Sequence, residues 1–260
     1  MMPDTTPKVA GRSWLRFLIG FTLLWGVLAG ISEIDATGRW GLAIFAAVAA
    51  AAVIVEVIVF KTSVRAAVRH LGLGRPNPRA VAVAAAVSVL ILLVYPLTTA
   101  VTGADIQLVA NWPWILLGVF AFHGLAEEIV WRGFAFRRLS VGRPFRTAVL
   151  LTMPLIAAAH IPIVVNNGVV VAIGAMLVAA VTSIPFSYLY VTGRCTVWAP
   201  ALVHTAIDSF KIMVIPGDAV TTFSLLLIAV SIVVPLLALA VPRRLLKSSA
   251  TSIPEMETVK

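Results

Sequence analysis

Charge is what this sequence has least of. Only 12% of its 260 residues are Asp, Glu, Lys or Arg, against about 25% in soluble domains, while 60% are apolar and the mean hydropathy is +1.02. A globule of this length buries about 70–75% of its surface. That is too little to hide so many apolar side chains, so an ordinary water-soluble enzyme is excluded and the bilayer is the solvent. Cys195 is the one cysteine, which excludes an internal disulfide framework and any cysteine-rich zinc or iron–sulfur site. No Gly-x-Ser-x-Gly string marks a serine hydrolase, and no His-Glu-x-x-His string marks a zincin. Internal repeats are also missing, which weighs against a transporter built from paired halves. Acidic residues are scarcer than basic ones, 11 against 20, for a net charge of +9. The basic residues fall in short bursts between apolar segments instead of forming a patch on a soluble face, so nucleic acid is not the partner.

What is present is a series of long apolar runs. A transmembrane helix needs about 20 mostly apolar residues, and runs of that order cover 14–31, 41–60, 80–101, 112–136, 145–165, 168–190, 196–215 and 220–241. The pattern predicts an all-α polytopic membrane protein with about eight transmembrane helices around a polar intramembrane cavity. Basic residues collect in cytoplasmic loops. With the amino terminus placed inside, 17 of the 20 Lys and Arg fall on that side, only Arg39 and Lys211 fall on the other, and Arg132 lies within a span. An even number of crossings with both termini cytoplasmic is therefore predicted, in a multi-pass cell-membrane protein. A signal peptide ending near Val27 and Ala29 is the weaker alternative for the first run. Residues 61–71 carry Lys61, Arg65 and Arg69 at helical spacing and are expected to prolong the second helix along anionic lipid headgroups. Four parts follow: helices one to three over 1–110, a chemistry-bearing core over 111–215, helix eight over 216–247, and a disordered cytoplasmic tail over 248–260.

Ionisable side chains inside the bilayer each cost about 2.5–3.5 kcal/mol, so those that persist generally face a polar interior and have a function. Span four holds His123, Glu127, Glu128 and Arg132, span five His160, and span seven His204 and Asp208. Glu56, near the end of span two, reads as a residue snorkelling to the interface. On a helix Glu127 and Glu128 point about a quarter-turn apart, whereas Glu128 and Arg132 stack on one face. Glu128 then forms a structural ion pair with Arg132, and Glu127 is left unpaired by arginine, free to act as a general base. His204 and Asp208 share a face by the same spacing. Glu127 and His204 each lie about 15 Å from the inner surface at 1.5 Å per residue. His160 falls at about 21 Å and needs a bend, which Pro154 and Pro162 make plausible. His123, four before Glu127, reads as one more interhelical hydrogen-bonder.

The string Glu127-Glu128-Ile129-Val130-Trp131-Arg132-Gly133, then His160, then Trp198-Ala199-Pro200 and His204-Thr205-Ala206-Ile207-Asp208, resembles the CPBP family of intramembrane proteases, which includes Rce-type CAAX prenyl proteases and bacterial Abi-like immunity proteins. The resemblance covers residues 110–215. It implies an eight-helix fold with a water-filled cavity and peptide-bond hydrolysis near the membrane surface of a lipidated or membrane-anchored substrate. Carried onto this chain, Glu127 with His160 would activate water, His204 with Asp208 would hold the carbonyl oxygen or orient the water, and Glu128 with Arg132 would support them. Ile156 stands where the family usually has Phe, and Asp208 where Asn is frequent.

A metal-free, glutamate-dependent mechanism is the preferred reading, with no cofactor. Zn²⁺ held by Glu127, His160 and His204, or with Asp208 in place of the glutamate, is the alternative, since three protein ligands plus water is the catalytic zinc pattern. Against the protease stand two other classes, a non-catalytic membrane immunity or scaffold protein and a proton-coupled transporter using Glu127, His160 and His204 as a relay. The partners expected are a peptide or lipidated protein substrate and anionic membrane lipids. The Ala-, Val- and Arg-rich composition points to a bacterial protein, for which prenylated targets are not expected.

Overall fold

The computed structural model describes residues 11–32, 35 and 37–246. The tail expected over 248–260, and Lys8, Lys247 and Lys260 of the charge count, lie outside the described residues. The fold is all-α, with thirteen α-helices and one two-residue ladder among the described residues. Seven helical segments are long and apolar enough to cross a bilayer: Trp14–Ile31, Gly41–Ile58, Pro78–Thr102, Trp112–Ser140, Phe145–Val165, Val169–Thr192 and Val220–Ala240. The chain is a multi-pass membrane protein.

The first two crossings are α1 (Gly11–Ser32) and α2 (Gly41–Ile58). Lys61 takes a left-handed φ of 57° and ends any continuation of α2. The short α3 (Val64–His70) then starts afresh, with the Ser63 hydroxyl accepting from the Ala66 N–H. The expected extension along the headgroups is thus a separate helix, which buries Ala67 and leaves Val64 exposed. The third crossing runs through α4 (Pro78–Leu92) and α5 (Val94–Thr102), followed by β1 (Gln107–Leu108). The fourth begins as α6 (Trp112–Val119), continues as two π-helical stretches, Phe120–Ala126 and Ile129–Phe136, and closes with α7 (Arg137–Ser140). Such wide turns recur at functional sites. The fifth is α8 (Phe145–Ala159) and α9 (Ile163–Asn167), the sixth α10 (Val169–Thr192).

The segment expected as span seven, 196–215, is shorter than a standard crossing. It consists of α11 (Trp198–Ile207), a 3₁₀ turn (Asp208–Ile212) and β2 (Met213–Val214). About 25 Å of helix results from the α and 3₁₀ rises together. Its start is held where Trp198 Nε1 donates to Gly74 O at 2.9 Å, and its far end where β2 pairs antiparallel with β1, Gln107 opposite Val214. It packs inside the bundle against α4, α10 and the π-helical stretch Phe120–Ala126, and among the described residues seven segments, not eight, are long enough to cross. The last crossing is α12 (Val220–Val233) with a 3₁₀ stretch (Val234–Ala240), and α13 (Arg243–Leu246) follows.

One end of the bundle gathers the basic loops. Asn77 Nδ2 donates to Thr192 O and Leu246 O, Val197 N to Gly72 O at 3.0 Å, and the Arg143 guanidinium lies over Trp14 at 5.3 Å. At the other end Gly38, Gly41 and Gly118 meet so closely that a Cβ on Gly118 would stand 1.7 Å from Gly38 O. Trp40, Trp112 and Trp114 are exposed there, as aromatic residues are at membrane interfaces. The largest apolar core surrounds Leu24, Val48, Ile129 and Phe134 and joins the first two helices to the fourth.

Candidate active site

The π-helical crossing supplies most of the site. Its neighbours, α2 on one side and α11 on the other, pack directly against Phe120–Ala126. Close approach to α11 depends on Gly124, where a Cβ would lie 2.6 Å from Thr205 Oγ1 and 3.1 Å from Ala201 O. Because Thr205 follows His204, the missing side chain at 124 brings the imidazole within reach of both glutamates.

Glu128 is fully buried. Its Oε1 accepts from Arg132 NH1 at 2.8 Å and from His204 Nδ1 at 2.9 Å. An ionised carboxylate only accepts, so His204 carries its proton on Nδ1 and turns Nε2 toward the remaining acids. Nε2 stands 3.8 Å from Glu127 Oε2 and 3.5 Å from Asp208 Oδ2. Glu127 Oε1 accepts from His123 Nδ1 at 2.7 Å, and His123 Nδ1 is also 3.7 Å from Asp208 Oδ2. Three carboxylates thus interleave with Arg132 and two imidazoles, an arrangement that keeps ionised groups tolerable in a low dielectric.

The two glutamates differ in access. Glu128 is sealed, whereas the side chains of Glu127, His204 and Asp208 retain 16%, 18% and 18% of their exposure. Apolar rings bound the cluster: Phe122 stacks on His123 at 4.1 Å, and Phe186 lies 5.6 Å from the His204 ring and 4.9 Å from the Arg132 guanidinium.

Of the residues singled out in the sequence, Glu127, Glu128, Arg132, His204 and Asp208 come together, and Glu128 pairs with Arg132 as its spacing predicts. His160 does not hydrogen-bond to any of them. It caps α8 at the break before α9, and its Nδ1 bonds to Ile156 O at 2.8 Å. His123, read as an interhelical hydrogen-bonder, instead contacts Glu127 on its own segment. The i, i+4 spacing that carried this signal was visible, but the pairing with Asp208 was not. Sequence reasoning missed Tyr95 altogether: its hydroxyl shares a 2.7 Å hydrogen bond with Ser209 and so ties α5 to the turn that presents Asp208.

Glu56 corrects the snorkelling assignment. Its carboxylate is fully buried and takes Arg137 NH2 at 3.1 Å as well as Arg138 NH2. The zinc alternative calls for His160 and His204 with Glu127 or Asp208, and His160 makes no hydrogen bond or ion pair with the other three. Among the described residues no group of three or more His, Cys, Asp or Glu is arranged to hold an ion.

Residues 109–210 match the model of the Rce1-like family, described as type II CAAX prenyl endopeptidase Rce1-like. The matched segment runs from the start of the fourth crossing to the turn carrying Asp208, and it holds every residue of the polar cluster. It is thus the part of the chain in which the CPBP and Rce-type motifs lie. No curated protein and no solved structure matches the chain.

Proposed function

We propose that the protein is an intramembrane endopeptidase that hydrolyses a peptide bond of a membrane-anchored or lipidated substrate, with water activated by Glu127. The observation that carries this reading is the position of Glu127 Oε2. Oε1 is engaged by His123, while Oε2 faces His204 Nε2 across 3.8 Å, a separation that one bridging water spans. Family similarity over 109–210 supplies the reaction class.

In this mechanism Glu127 removes a proton as the water oxygen bonds to the scissile carbonyl carbon. The proton passes to the leaving amine as the C–N bond breaks, which yields a carboxylate and an amine. Nδ1–H of His204 is fixed on Glu128, so Nε2 is the atom turned to the reacting centre. When protonated, it donates to the oxyanion that forms on the carbonyl oxygen. Asp208, its Oδ2 3.5 Å from that nitrogen, orients the imidazole. His160 acts with Glu127 on the water from the end of α8, as the family resemblance implies. The concentration of Lys and Arg at the end shared by both described chain ends supports a cytoplasmic orientation for that face.

The test compares wild type with Glu127→Gln at matched membrane levels, mapping new peptide termini in the membrane fraction by mass spectrometry with and without a zinc chelator. Termini that vanish with the substitution establish proteolysis and name its substrates, and their persistence under chelation supports the glutamate mechanism. Identical termini in both proteins would favour the scaffold reading.

A further inference from the structure

A second ionisable cluster lies at the basic end of the bundle, apart from the Glu127 site. Glu56 sits two residues before the end of α2, and Arg137 and Arg138 both donate to its Oε1. His70 Nδ1 is 3.5 Å from Oε2. The Arg138 guanidinium carbon lies over the Phe60 ring, 3.2 Å from its centroid. These groups, with Arg16 and Thr62, line a cavity of about 160 Å³.

Its charge does not balance. Three guanidinium groups and an imidazole surround one carboxylate, so the cavity retains a net positive charge after Glu56 has oriented Arg137 and Arg138. Arg16 reaches the cavity from α1 and makes no hydrogen bond or ion pair with Glu56. Arg138 Nε is buried without a hydrogen-bond partner, and Glu56 Oε2 and His70 Nδ1 have only the 3.5 Å contact with each other; buried polar groups are seldom left so. Depth is informative too. Arg16 is two residues inside the span Trp14–Ile31 and Glu56 two from the end of Gly41–Ile58, about 3 Å of helix rise from each span end. That places the cavity at the edge of the apolar spans, next to the headgroup layer, and basic pockets between transmembrane helices take phosphate-bearing headgroups.

We infer that this cavity binds a phosphate group, supplied by an anionic lipid headgroup or by phosphate from solution. Arg16 and Arg138 Nε donate to the phosphate oxygens. Glu56 Oε2 accepts from a hydroxyl, either that of a phosphoglycerol headgroup or that of a singly protonated phosphate. The cavity is smaller than the roughly 300–1,000 Å³ of drug-sized sites, which restricts it to a headgroup-sized ligand. Binding there joins α1 to α2, α3 and α7, so it stabilises the bundle by linkage.

The full-length protein is reconstituted in vesicles of phosphatidylcholine, of phosphatidylcholine with phosphatidylglycerol, and of phosphatidylcholine with added inorganic phosphate, and the thermal unfolding midpoint is measured in each. Wild type is compared with Arg16→Gln and with Arg75→Gln, an exposed charge at the same end that does not line the cavity. Phosphatidylglycerol is expected to raise the midpoint of wild type and Arg75→Gln by several degrees and that of Arg16→Gln by much less. A selective rise with inorganic phosphate alone identifies the free ion as sufficient. Equal rises in all three proteins, or none, would overturn the site and leave only a general surface charge effect. His70→Gln is the second probe if Arg16→Gln does not fold, and it is expected to reduce the lipid-dependent rise.

Discussion

His204 and Arg132 share one oxygen of Glu128, at 2.9 and 2.8 Å, so a single buried carboxylate locks α11 to the π-helical crossing and sets which imidazole nitrogen faces Glu127. Removing one member of a buried pair leaves the other charge uncompensated, at a cost of about 3–5 kcal/mol. Glu128→Ala and Arg132→Ala are each expected to destabilise the protein by that amount and to abolish hydrolysis. Thermal unfolding of the reconstituted protein checks the first effect. A double substitution to apolar residues of similar volume should recover stability without activity, since it also removes the fixed tautomer of His204.

His123 positions Glu127 through the 2.7 Å contact on Oε1. With His123→Gln, a neutral donor of similar length, the expectation is a drop in turnover smaller than the 10²–10⁴-fold range of a lost general base, with KM little changed. An equal loss in His123→Gln and Glu127→Gln would instead mean that His123 itself transfers the proton.

Gly124 is where α11 comes closest. A methyl group there would meet Thr205 Oγ1 at 2.6 Å, and overpacking of this kind costs about 1–3 kcal/mol. Gly124→Ala should therefore lower both stability and turnover by displacing His204. Thr205→Ala in the same chain relieves the nearer contact and should restore part of each, as a double-mutant cycle on unfolding midpoints will show.

Asp35 organises the loop before α2. Its Oδ1 accepts from the Thr37 hydroxyl and N–H and the Gly38 N–H, and its Oδ2 from the Trp40 N–H. Burial raises its pKa, but these hydrogen bonds more than offset that and hold the carboxyl below its ordinary value. A depressed folded value means that the unfolded chain takes up the proton first. The stabilisation is therefore complete above the ordinary carboxylate range and is lost as pH falls below about 4 and through the folded value. Asp35→Ala should cost about 1–3 kcal/mol at neutral pH and flatten the acid limb of stability against pH. An unchanged acid limb would show that the carboxylate contributes nothing there.

The crossings were legible because hydropathy is summed locally along the chain. Seven of the eight expected runs are long apolar helices within a few residues of the boundaries read from composition. The eighth is shorter because Asp208–Ile212 tightens to 3₁₀ and the chain then leaves the bundle along β2. The Glu128 and Arg132 pair was legible for the same reason, since four residues along one helix is a local distance. The bend expected near His160 is present, since α8 ends at Ala159 and α9 starts at Ile163, but the bond from the imidazole to Ile156 O was not legible in the depth estimate.

Sequence alone therefore determined the solvent, the approximate number of passes, the clustering of positive charge at alternating loops and the pairing of Glu128 with Arg132. All four follow from the order and spacing of residues on single helices. Only the tertiary structure decided that His123 reaches Glu127 and Asp208, that His204 reads both glutamates, and that Glu56 is sealed among arginines. Those relations join residues 76 to 85 positions apart or depend on the rotation of a π-helical segment, and one-dimensional periodicity carries no information about either.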